Sequence, residues 1–586
     1  MKNIIDKKII IKLLMSFLGT IGIILNYQIG TKVYLTLSLL NVLIFIMLYN
    51  FYQKITIDNK KEKIFSIIFS IFLSLILVIG NQLDKTSNIK WNIITILEIF
   101  SLIFAIFPFI IYSLNIIKKI KKNDDFKITK KRKIIIFSII FFFGFLVFLA
   151  TYPGVYGYDA GYQIMEVLNK NVQLTTHFSV IYSYFLAKCI QLGQAIFNSN
   201  EIGFAIYSLI QLTFMTYVAT RISLFSYKLS KNKYVLLLSI IFFSLFPLYT
   251  IMTVSAAQDT LFGGIFALLI INSIEQYDNI KSKKIFIKII ILSFMLCAIR
   301  NNGYYALLVV VVITLLFNKN KRLLSTIPLI IGIVIYKIFT GPIYDYMNVY
   351  KESPIREMSS IPSVQLARVY NYNKSILNKD DIKNYTLFYT KLDEFKYYKI
   401  DQSISDPIKS ILNSTYTEDN LIKYIKFWLK IGFKDPKNYI EAFLLNNLGA
   451  WYPGKQYYDI RMFHPYIEYK MMDGKKWNKD YENIERKSKF PLYDKALHLL
   501  VERNGWKIIP VVSLVFNLGT YFIIFIYSIG TCIIHKKKKY LVALSAITGL
   551  YITIFLAPVA LFRYSFPIVV LLPIFVGMIL DKEKEQ

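Results

Sequence analysis

The chain has 586 residues, of which 55% are hydrophobic and only 18% are charged, against about 25% charged in ordinary soluble domains. Lys and Arg number 69 against 37 Asp and Glu, a formal charge of +32. The apolar residues come in runs of roughly 17–25 residues, the length that crosses a bilayer core as a helix. This composition excludes a soluble enzyme, a disordered chain and a nucleic-acid-binding protein, and it predicts an all-α polytopic membrane protein.

Fourteen apolar runs are predicted to be membrane-spanning helices, because in lipid only a helix or a closed barrel satisfies the backbone polar groups. The runs are continuous and do not show the alternation of a barrel strand. They lie near 9–27, 33–52, 64–82, 92–117, 134–150, 203–224, 234–252, 260–275, 285–299, 303–317, 323–340, 508–533, 540–558 and 566–580.

The short basic loops predict the orientation of these spans, since Lys and Arg accumulate in cytoplasmic loops. Basic clusters follow the second, fourth, sixth, eighth, tenth and twelfth spans, at 54–63, 118–133, 228–233, 281–284, 318–322 and 535–539. All of them fall on one side if both termini are cytoplasmic. The polar stretch 341–507 then lies outside the cell membrane, and it holds 27 basic against 21 acidic residues. The excess positive charge is therefore concentrated in the inner loops.

The segment 178–197 is apolar enough to span the membrane, but a crossing there would invert the charge pattern of every later loop. Lys188 and Gln191 also interrupt its apolar face. We therefore predict an interfacial helix at the outer membrane surface.

Four regions follow from this layout. Residues 1–133 form an N-terminal four-helix membrane extension, and 134–340 form a membrane core with the external loop 151–177. Residues 341–507 form a mostly helical extracytoplasmic domain, and 508–586 contain the last membrane helices. Within the polar stretch, helices are predicted at 418–432 and 436–447, the second opened by Asp435 as cap and Pro436 in the first turn.

A candidate catalytic carboxylate lies in the first long external loop. Asp159 follows the outer end of the fifth span and is surrounded by tyrosines, including Tyr158. A carboxylate in such a partly apolar setting is suited to act as a general base or a metal ligand. The alternative is that Asp159 only caps a helix that starts near Ala160, and the residues alone leave both interpretations open.

Further polar groups reach the same outer boundary. Asp259 lies between spans seven and eight, Arg300 and Asn301 between spans nine and ten, and Arg563 between the last two spans. An arginine at membrane depth faces a cavity or an anion, or else extends to lipid head groups. Two Arg and two Asp with His177 on one side favour an anionic ligand that carries phosphate.

Six segments of the chain, in this order and with this sidedness, resemble a known superfamily. They are YPGVYGYDAGYQ at 152–163, AAQDTLF at 256–262, RNNG at 300–303, IPSVQLAR at 361–368, the run 435–454 and FRYSFP at 562–567. Together with the layout of spans, surface helix and late external domain, they resemble a bacterial branch of the GT-C superfamily of polyprenyl-phosphate-sugar-dependent glycosyltransferases. The resemblance covers roughly 134–580, and the first four spans lie outside the superfamily core.

The resemblance implies a role for each matching position. Asp159 would be the general base, and Asp259 would help Asp159 to hold a divalent cation, Mg²⁺ or Mn²⁺. Arg300 and Arg563 would bind the lipid phosphate. Tyr158, Gln163 and Asn301, within the same motifs, are further substrate-binding candidates. His177 matches a position commonly followed by proline, but Phe178 and Ser179 follow it here.

The expected activity is transfer of a sugar from a polyprenyl-phosphate donor in the membrane to an extracytoplasmic acceptor, which is a cell-envelope glycan, a glycolipid or a protein. A polysaccharide polymerase or ligase is an alternative that shares this substrate class. A flippase or transporter of lipid-linked oligosaccharides is another, although transporters place binding groups near the bilayer midplane. A membrane scaffold without enzymatic activity is a fourth interpretation.

Overall fold

The structure is a computed structural model. It describes residues 2–27, 38–57, 59–121, 128–157, 159–317, 322–400, 402, 404–454, 484–502, 505–508 and 510–582. Within these ranges the chain is helical and forms no strand, although four isolated β-bridges join loops.

Fourteen helices precede the polar stretch. They are α1 (Lys2–Tyr27), α2 (Leu39–Lys54), α3 (Lys60–Thr86), α4 (Ile93–Lys119), α5 (Lys130–Ala150), α6 (Ala160–Leu168), α7 (Val180–Phe197), α8 (Asn200–Ser230), α9 (Lys233–Leu245), α10 (Pro247–Met252), α11 (Gln258–Asp278), α12 (Lys283–Ile299), α13 (Asn301–Phe317) and α14 (Arg322–Ile338).

The polar stretch contributes shorter helices, and five further helices complete the bundle. The polar stretch holds α15 (Tyr344–Tyr346), α16 (Ile355–Met358), α17 (Ser360–Tyr372), α18 (Lys379–Phe388), α19 (Lys396–Ile400), α20 (Asp406–Lys409), α21 (Ser414–Asp419), α22 (Leu421–Lys434), α23 (Pro436–Asn446), α24 (Leu448–Trp451) and α25 (Pro491–Leu497). The last five are α26 (Pro510–Phe516), α27 (Leu518–Ile534), α28 (Leu541–Phe555), α29 (Phe562–Val570) and α30 (Leu572–Leu580).

The described residues contain 10 candidate membrane spans that are long and apolar enough to cross a bilayer. Nine of them overlap predicted spans, and the tenth is α7, which we expected at the surface. The other five predicted spans correspond to shorter helices, of 16 residues in α2, 13 in α9, and 17 each in α12, α13 and α27. The chain is a multi-pass helical membrane protein.

One face of the bundle gathers the loops that carry the candidate residues, together with the polar stretch. Isolated bridges join Val155 to Ser255, Thr175 to Tyr350 and Ile404 to Val559. We call this the site face and define it by loops 151–179, 253–258 and 556–562 and by the polar stretch. The predicted grouping of these segments on one side agrees with these contacts.

The opposite face, which we call the basic face, gathers loops 54–63, 118–121, 228–233 and 535–540 and the C-terminal residues 581–582. Lys118 Nζ lies 2.7 Å from Glu62 Oε2, and Lys539 Nζ lies 2.7 Å from Asp581 Oδ2. Lys582 Nζ donates to the Lys118 carbonyl at 2.8 Å. These contacts, with the hydrogen bond from Asn232 Nδ2 to the Lys121 carbonyl at 3.3 Å, join four of the five described basic loops.

The polar stretch has its own hydrophobic core, built by α17, α18, α22 and α23 around buried side chains such as Tyr385, Phe388 and Phe427. The predicted helices at 418–432 and 436–447 correspond to α22 and α23. The Asp435 side chain accepts from the Asn438 N–H, which confirms the predicted cap of α23.

A buried ion pair fastens the polar stretch to the loop between α3 and α4. Arg368 on α17 is fully buried and pairs with Glu441 on α23. The guanidinium also donates to the Ser87 carbonyl at 2.7 Å, and Glu441 Oε1 accepts from the Ile89 N–H at 2.8 Å. The N-terminal helices are thereby held against the polar stretch on the site face.

The two ends of α7 make contacts on the site face. At its start, Ser179 Oγ donates to the Ala298 carbonyl at 2.8 Å. Just past its end, Glu201 pairs with Lys487, whose backbone N–H donates to the Tyr152 carbonyl at 2.8 Å. These contacts favour a helix that returns to the face from which it started, so the interfacial placement of α7 stays a prediction that the geometry supports.

Candidate active site

The Asp159 loop is held against the loop that precedes α11. The Val155 N–H donates to the Val254 carbonyl at 2.9 Å, and the Ala256 N–H donates to the Val155 carbonyl at 2.9 Å. Gly154 has a φ of 136°, a left-handed value that favours glycine, and a Cβ there would collide with Ser208 Oγ. This backbone pairing fixes the two acidic loops relative to each other.

Asp159 directs its carboxylate at Arg563. It precedes α6, but its side chain makes no capping hydrogen bond. Instead Asp159 Oδ2 lies 3.1 Å from Arg563 Nη1. The Asp159 side chain therefore does not cap α6, which was one of the two roles that the residues alone left open. The Asp159 side chain is 38% exposed, so a ligand can reach it.

A second carboxylate–guanidinium pair lies deeper. Asp259 is in the first turn of α11, and Arg300 follows the last residue of α12. The two side chains form an ion pair, in which Asp259 is 2% exposed and Arg300 16% exposed. A buried carboxylate requires such a partner, because removing it from water without compensation is costly.

Tyr564 joins the two pairs. Its ring centroid lies 4.5 Å from the Arg300 guanidinium carbon and 5.2 Å from that of Arg563. Arg300 also lies within electrostatic reach of both Arg563 and Asp159. The two ion pairs therefore form one cluster around an aromatic ring, with two positive and two negative charges. Our sequence interpretation missed Tyr564, and its only signal was its place beside Arg563 in FRYSFP.

A series of fully buried polar side chains holds the turn that leads to Asp259. The Tyr182 and Tyr207 hydroxyls lie 2.7 Å apart, and the Tyr207 hydroxyl donates to Gln211 Oε1 at 2.6 Å. Gln211 Nε2 then contacts the carbonyls of Met252, Thr253 and Ser255 at 3.3, 3.1 and 2.8 Å. The chain links α7 and α8 to the turn that leads into α11. Sequence reasoning did not single out these three residues.

The remaining candidates are placed differently. Gln163 is buried on α6, one turn after Asp159. The Asn301 side chain accepts from the Tyr336 hydroxyl at 2.9 Å, which indicates a structural role between α13 and α14. Tyr158 lies outside the described residues.

His177 belongs to a neighbouring part of the site face. Its Nδ1 lies 3.4 Å from Glu352 Oε2, and its ring packs against Phe178. The Thr176 N–H donates to the Tyr350 carbonyl at 2.9 Å, which ties this loop to the polar stretch. Among the described contacts, none joins His177 to the two Asp–Arg pairs, so the expected convergence holds for the other four charged residues and not for His177.

The donor set does not fit the expected divalent cation. Within the described residues, no group of three His, Cys, Asp or Glu side chains could hold a metal ion. Asp159 and Asp259 each face a guanidinium, and these positive charges oppose a cation at the same oxygens. Mg²⁺ prefers six oxygen ligands. We therefore derive no step through a metal, and the cation stays an untested expectation.

Comparison with known proteins gives a family and no activity. No curated protein and no solved structure matches the chain. A family model with the description "Family of unknown function (DUF6020)" matches residues 169–586. The match contains Asp259, Arg300, Arg563 and Tyr564 and begins just after Asp159. Since it covers most of the sequence, the chain belongs to the DUF6020 family.

Proposed function

We propose that the protein is a membrane glycosyltransferase that moves a sugar from a polyprenyl-phosphate donor to an extracytoplasmic acceptor, with Asp159 as general base. The observation that carries the proposal is the cluster of Asp159, Arg563, Tyr564, Arg300 and Asp259 on one face of an apolar bundle. Guanidinium forks match phosphate oxygens, and a reachable carboxylate beside them supplies a proton acceptor.

The proposal includes an orientation in the cell membrane. We place the basic face, with both termini, in the cytoplasm and the site face outside, with fourteen crossings and α7 at the outer surface. The clustering of the basic loops on one face supports this choice, since cytoplasmic loops are rich in Lys and Arg. The polar stretch then becomes an extracytoplasmic domain over the outer leaflet.

The reaction follows from the charges. The donor is a phosphodiester that joins the sugar to the prenyl chain. As the bond between the anomeric carbon and the phosphate oxygen breaks, its electron pair moves to the phosphate, whose charge grows from −1 toward −2. Arg563 is suited to stabilise that charge because its carboxylate partner, Asp159, is partly exposed, whereas Arg300 is engaged by the buried Asp259.

Asp159 acts on the other partner. An acceptor hydroxyl attacks the anomeric carbon and passes its proton to the Asp159 carboxylate, so a direct displacement inverts the configuration. When phosphate binds the Arg563 guanidinium, the Asp159 carboxylate is released from its ion pair and is left to accept the proton. The Asp159–Arg563 ion pair thus separates into an anion-binding group and a proton acceptor.

The experiment compares two variants of the full chain in membranes from cells that lack the native protein. Lipid-linked sugars extracted from the same cells, carrying a radiolabel, serve as donor. Asp159→Asn is expected to abolish label transfer to endogenous acceptors. Asp345→Asn is the matched control, because Asp345 is 65% exposed and pairs only with Lys351 in the described contacts. Full transfer by the Asp159 variant would remove Asp159 from the mechanism.

A second measurement separates transfer from flipping. Loss of a transferase leaves lipid-linked sugar accessible on the outer side of the membrane, whereas loss of a flippase traps it on the inner side. Oxidation of the sugar by periodate in intact cells and in lysed cells distinguishes these two outcomes. Donor that accumulates only on the inner side would contradict the proposal and favour the flippase.

A further inference from the structure

A cavity of about 690 Å³ opens at the turn between α7 and α8, apart from the Asp–Arg cluster. Its volume lies within the range of small-molecule sites. It is lined by Leu168, Ile190, Gln191, Gln194, Asn198, Ser199, Asn200, Glu201 and Lys487. None of these residues belongs to the machinery proposed above.

The lining is rich in side-chain amides and carries no net charge. Gln191, Gln194, Asn198 and Asn200 each offer a carbonyl oxygen and an NH₂ group. The two charged side chains neutralise each other, since Lys487 Nζ lies 2.7 Å from Glu201 Oε1. Such a lining matches a ligand with many hydroxyl groups and no charge, and it does not match a phosphate.

The amides retain capacity for a ligand. Within the described residues, Gln194 Nε2 donates to Asn198 Oδ1 at 2.7 Å, and Gln191 Oε1 accepts from Lys188. These bonds use one group of each amide and orient it. The opposite groups, Gln191 Nε2, Gln194 Oε1 and Asn198 Nδ2, are left for hydrogen bonds to hydroxyls.

The cavity is connected to the Asp159 loop by helix α6 and by a backbone hydrogen bond. Helix α6 begins directly after Asp159 and ends at Leu168 in the cavity wall. Its nine residues span about 13 Å at 1.5 Å per residue. Lys487, on the other side, has its backbone N–H on the Tyr152 carbonyl of the same loop. The separation suits sugar units next to the one that reacts.

We propose that this cavity binds uncharged sugar units of the acceptor, one or two units removed from the hydroxyl that receives the transferred sugar. The inference rests on the proposed function for its acceptor role, while the binding itself is measurable without transfer. Hydrogen bonds from the uncharged amides of the cavity then determine which acceptor binds, and the Asp–Arg cluster binds the charged donor. Acceptor and donor are thus recognised by two chemically different sites.

The test measures binding of oligosaccharides to the purified full-length protein in nanodiscs. Envelope glycans from the same cells are cleaved to oligosaccharides, separated into neutral and anionic fractions, and labelled with a fluorophore at the reducing end. Fluorescence anisotropy is expected to show saturable binding of the neutral fraction. The double variant Gln191→Leu/Gln194→Leu should weaken that binding at least tenfold, and both side chains are exposed, so the fold is retained.

Two further variants complete the design. Gln53→Leu, at an exposed glutamine of the basic face, is the matched control and should bind as the unmodified protein does. Asp159→Asn should also bind the neutral fraction normally although it fails to transfer sugar.

The outcomes separate the two proposals. Absence of binding by the neutral fraction, binding of the anionic fraction alone, or unchanged binding in the double variant would overturn the cavity inference. Normal transfer by Asp159→Asn would overturn the proposed mechanism instead, and it leaves the binding results to stand on their own.

Discussion

Arg563 Nη1 lies 3.1 Å from Asp159 Oδ2, although 404 positions separate the two residues in the sequence. The pair joins the loop after the fifth helix to the start of α29, close to the end of the chain. Because Asp159 is partly exposed and Asp259 is buried, the two ion pairs of the cluster differ in what their loss would do.

The first prediction concerns this difference in stability. Arg300→Ala leaves the Asp259 carboxylate buried without its partner, which costs about 3–5 kcal/mol. Arg563→Ala leaves a carboxylate that water can reach, so its cost is expected to stay below about 1 kcal/mol. Thermal unfolding of the two purified variants in the same detergent measures both losses of stability. Equal losses in the two variants would contradict the division between a structural and a ligand-binding arginine.

The second prediction concerns Tyr564, whose ring faces both guanidinium groups. Tyr564→Leu removes the aromatic face and with it about 0.5–2 kcal/mol of cation–π interaction. Because the ring then no longer positions the Arg563 guanidinium, binding of polyprenyl phosphate should weaken, by up to about 30-fold. Displacement of a fluorescent prenyl-phosphate analogue measures this binding. Tyr564→Phe retains the ring and serves as the matched control. A leucine variant that binds as tightly as the phenylalanine variant would exclude this role for the ring.

The third prediction concerns Gln211, whose Nε2 contacts three carbonyls of the turn before α11. Among the described contacts, the Met252 and Ser255 carbonyls keep backbone donors and the Tyr207 hydroxyl keeps Tyr182. Gln211→Leu therefore leaves the Thr253 carbonyl unsatisfied, at about 1–3 kcal/mol. Hydrogen exchange at the Val155 and Ala256 amides, which join the two acidic loops, should accelerate.

Thr213→Val on the same helix is the control for this experiment. Thr213 is exposed, and its hydroxyl bonds only to the Leu209 carbonyl within α8. Exchange at Val155 and Ala256 should therefore match that of the unmodified protein. Unchanged exchange in Gln211→Leu would show that the polar chain does not hold the acidic loops.

The sequence could supply the membrane character, the grouping of loops by face and four of the five clustered residues, because these depend on apolar run lengths and on local charge. It could not supply the pairing of Asp159 with Arg563 and of Asp259 with Arg300, which depends on how distant helices pack. Tyr564 was not singled out, because its only signal was its place beside Arg563, and an aromatic residue at the membrane boundary is common whatever it contacts. His177 was grouped with the site by its sidedness and by its match to a superfamily position, whereas its loop is bonded to Tyr350 and Glu352.

The helix boundaries were less predictable than the helices. The single run predicted at 234–252 is divided between α9 and α10, because Phe246 is extended before Pro247, which starts α10. A residue before proline is disfavoured in the helical conformation. The run at 508–533 is likewise divided at Asn517, between α26 and α27. Hydropathy detects that a segment is apolar, but it does not detect such breaks.

The fourth prediction concerns pH. Burial raises the pKa of the Glu166 carboxyl above its ordinary value of 4.5, and His177 and Glu352 are the titratable groups nearby. The folded protein therefore favours the neutral form, so this stabilisation is present at low pH and is lost as the pH rises through the raised pKa. Glu166→Gln retains an acceptor for the Thr175 hydroxyl, which donates to Glu166 Oε1 at 2.7 Å. The midpoint temperature of thermal unfolding, measured from pH 4 upward, should decrease less steeply in this variant than in the unmodified protein. Parallel curves for the two proteins would refute this role of Glu166.

The fifth prediction concerns the attachment of the N-terminal helices, which lie outside the family match. Arg368 and Glu441 are both buried, and together they bind the Ser87 carbonyl and the Ile89 N–H of the loop between α3 and α4. Arg368→Met leaves Glu441 charged and buried, at about 3–5 kcal/mol. Among the described contacts, Glu441 then keeps as a charged partner only the distant, exposed Lys437, whose Nζ lies 3.8 Å from Glu441 Oε1. Adding Glu441→Leu removes this buried charge, so the double variant should recover part of the stability. The loop nevertheless loses both of its anchors in the double variant. Limited proteolysis should then cut the double variant between α3 and α4, even though its thermal stability has partly recovered. Resistance to cleavage there would show that other contacts hold the N-terminal helices.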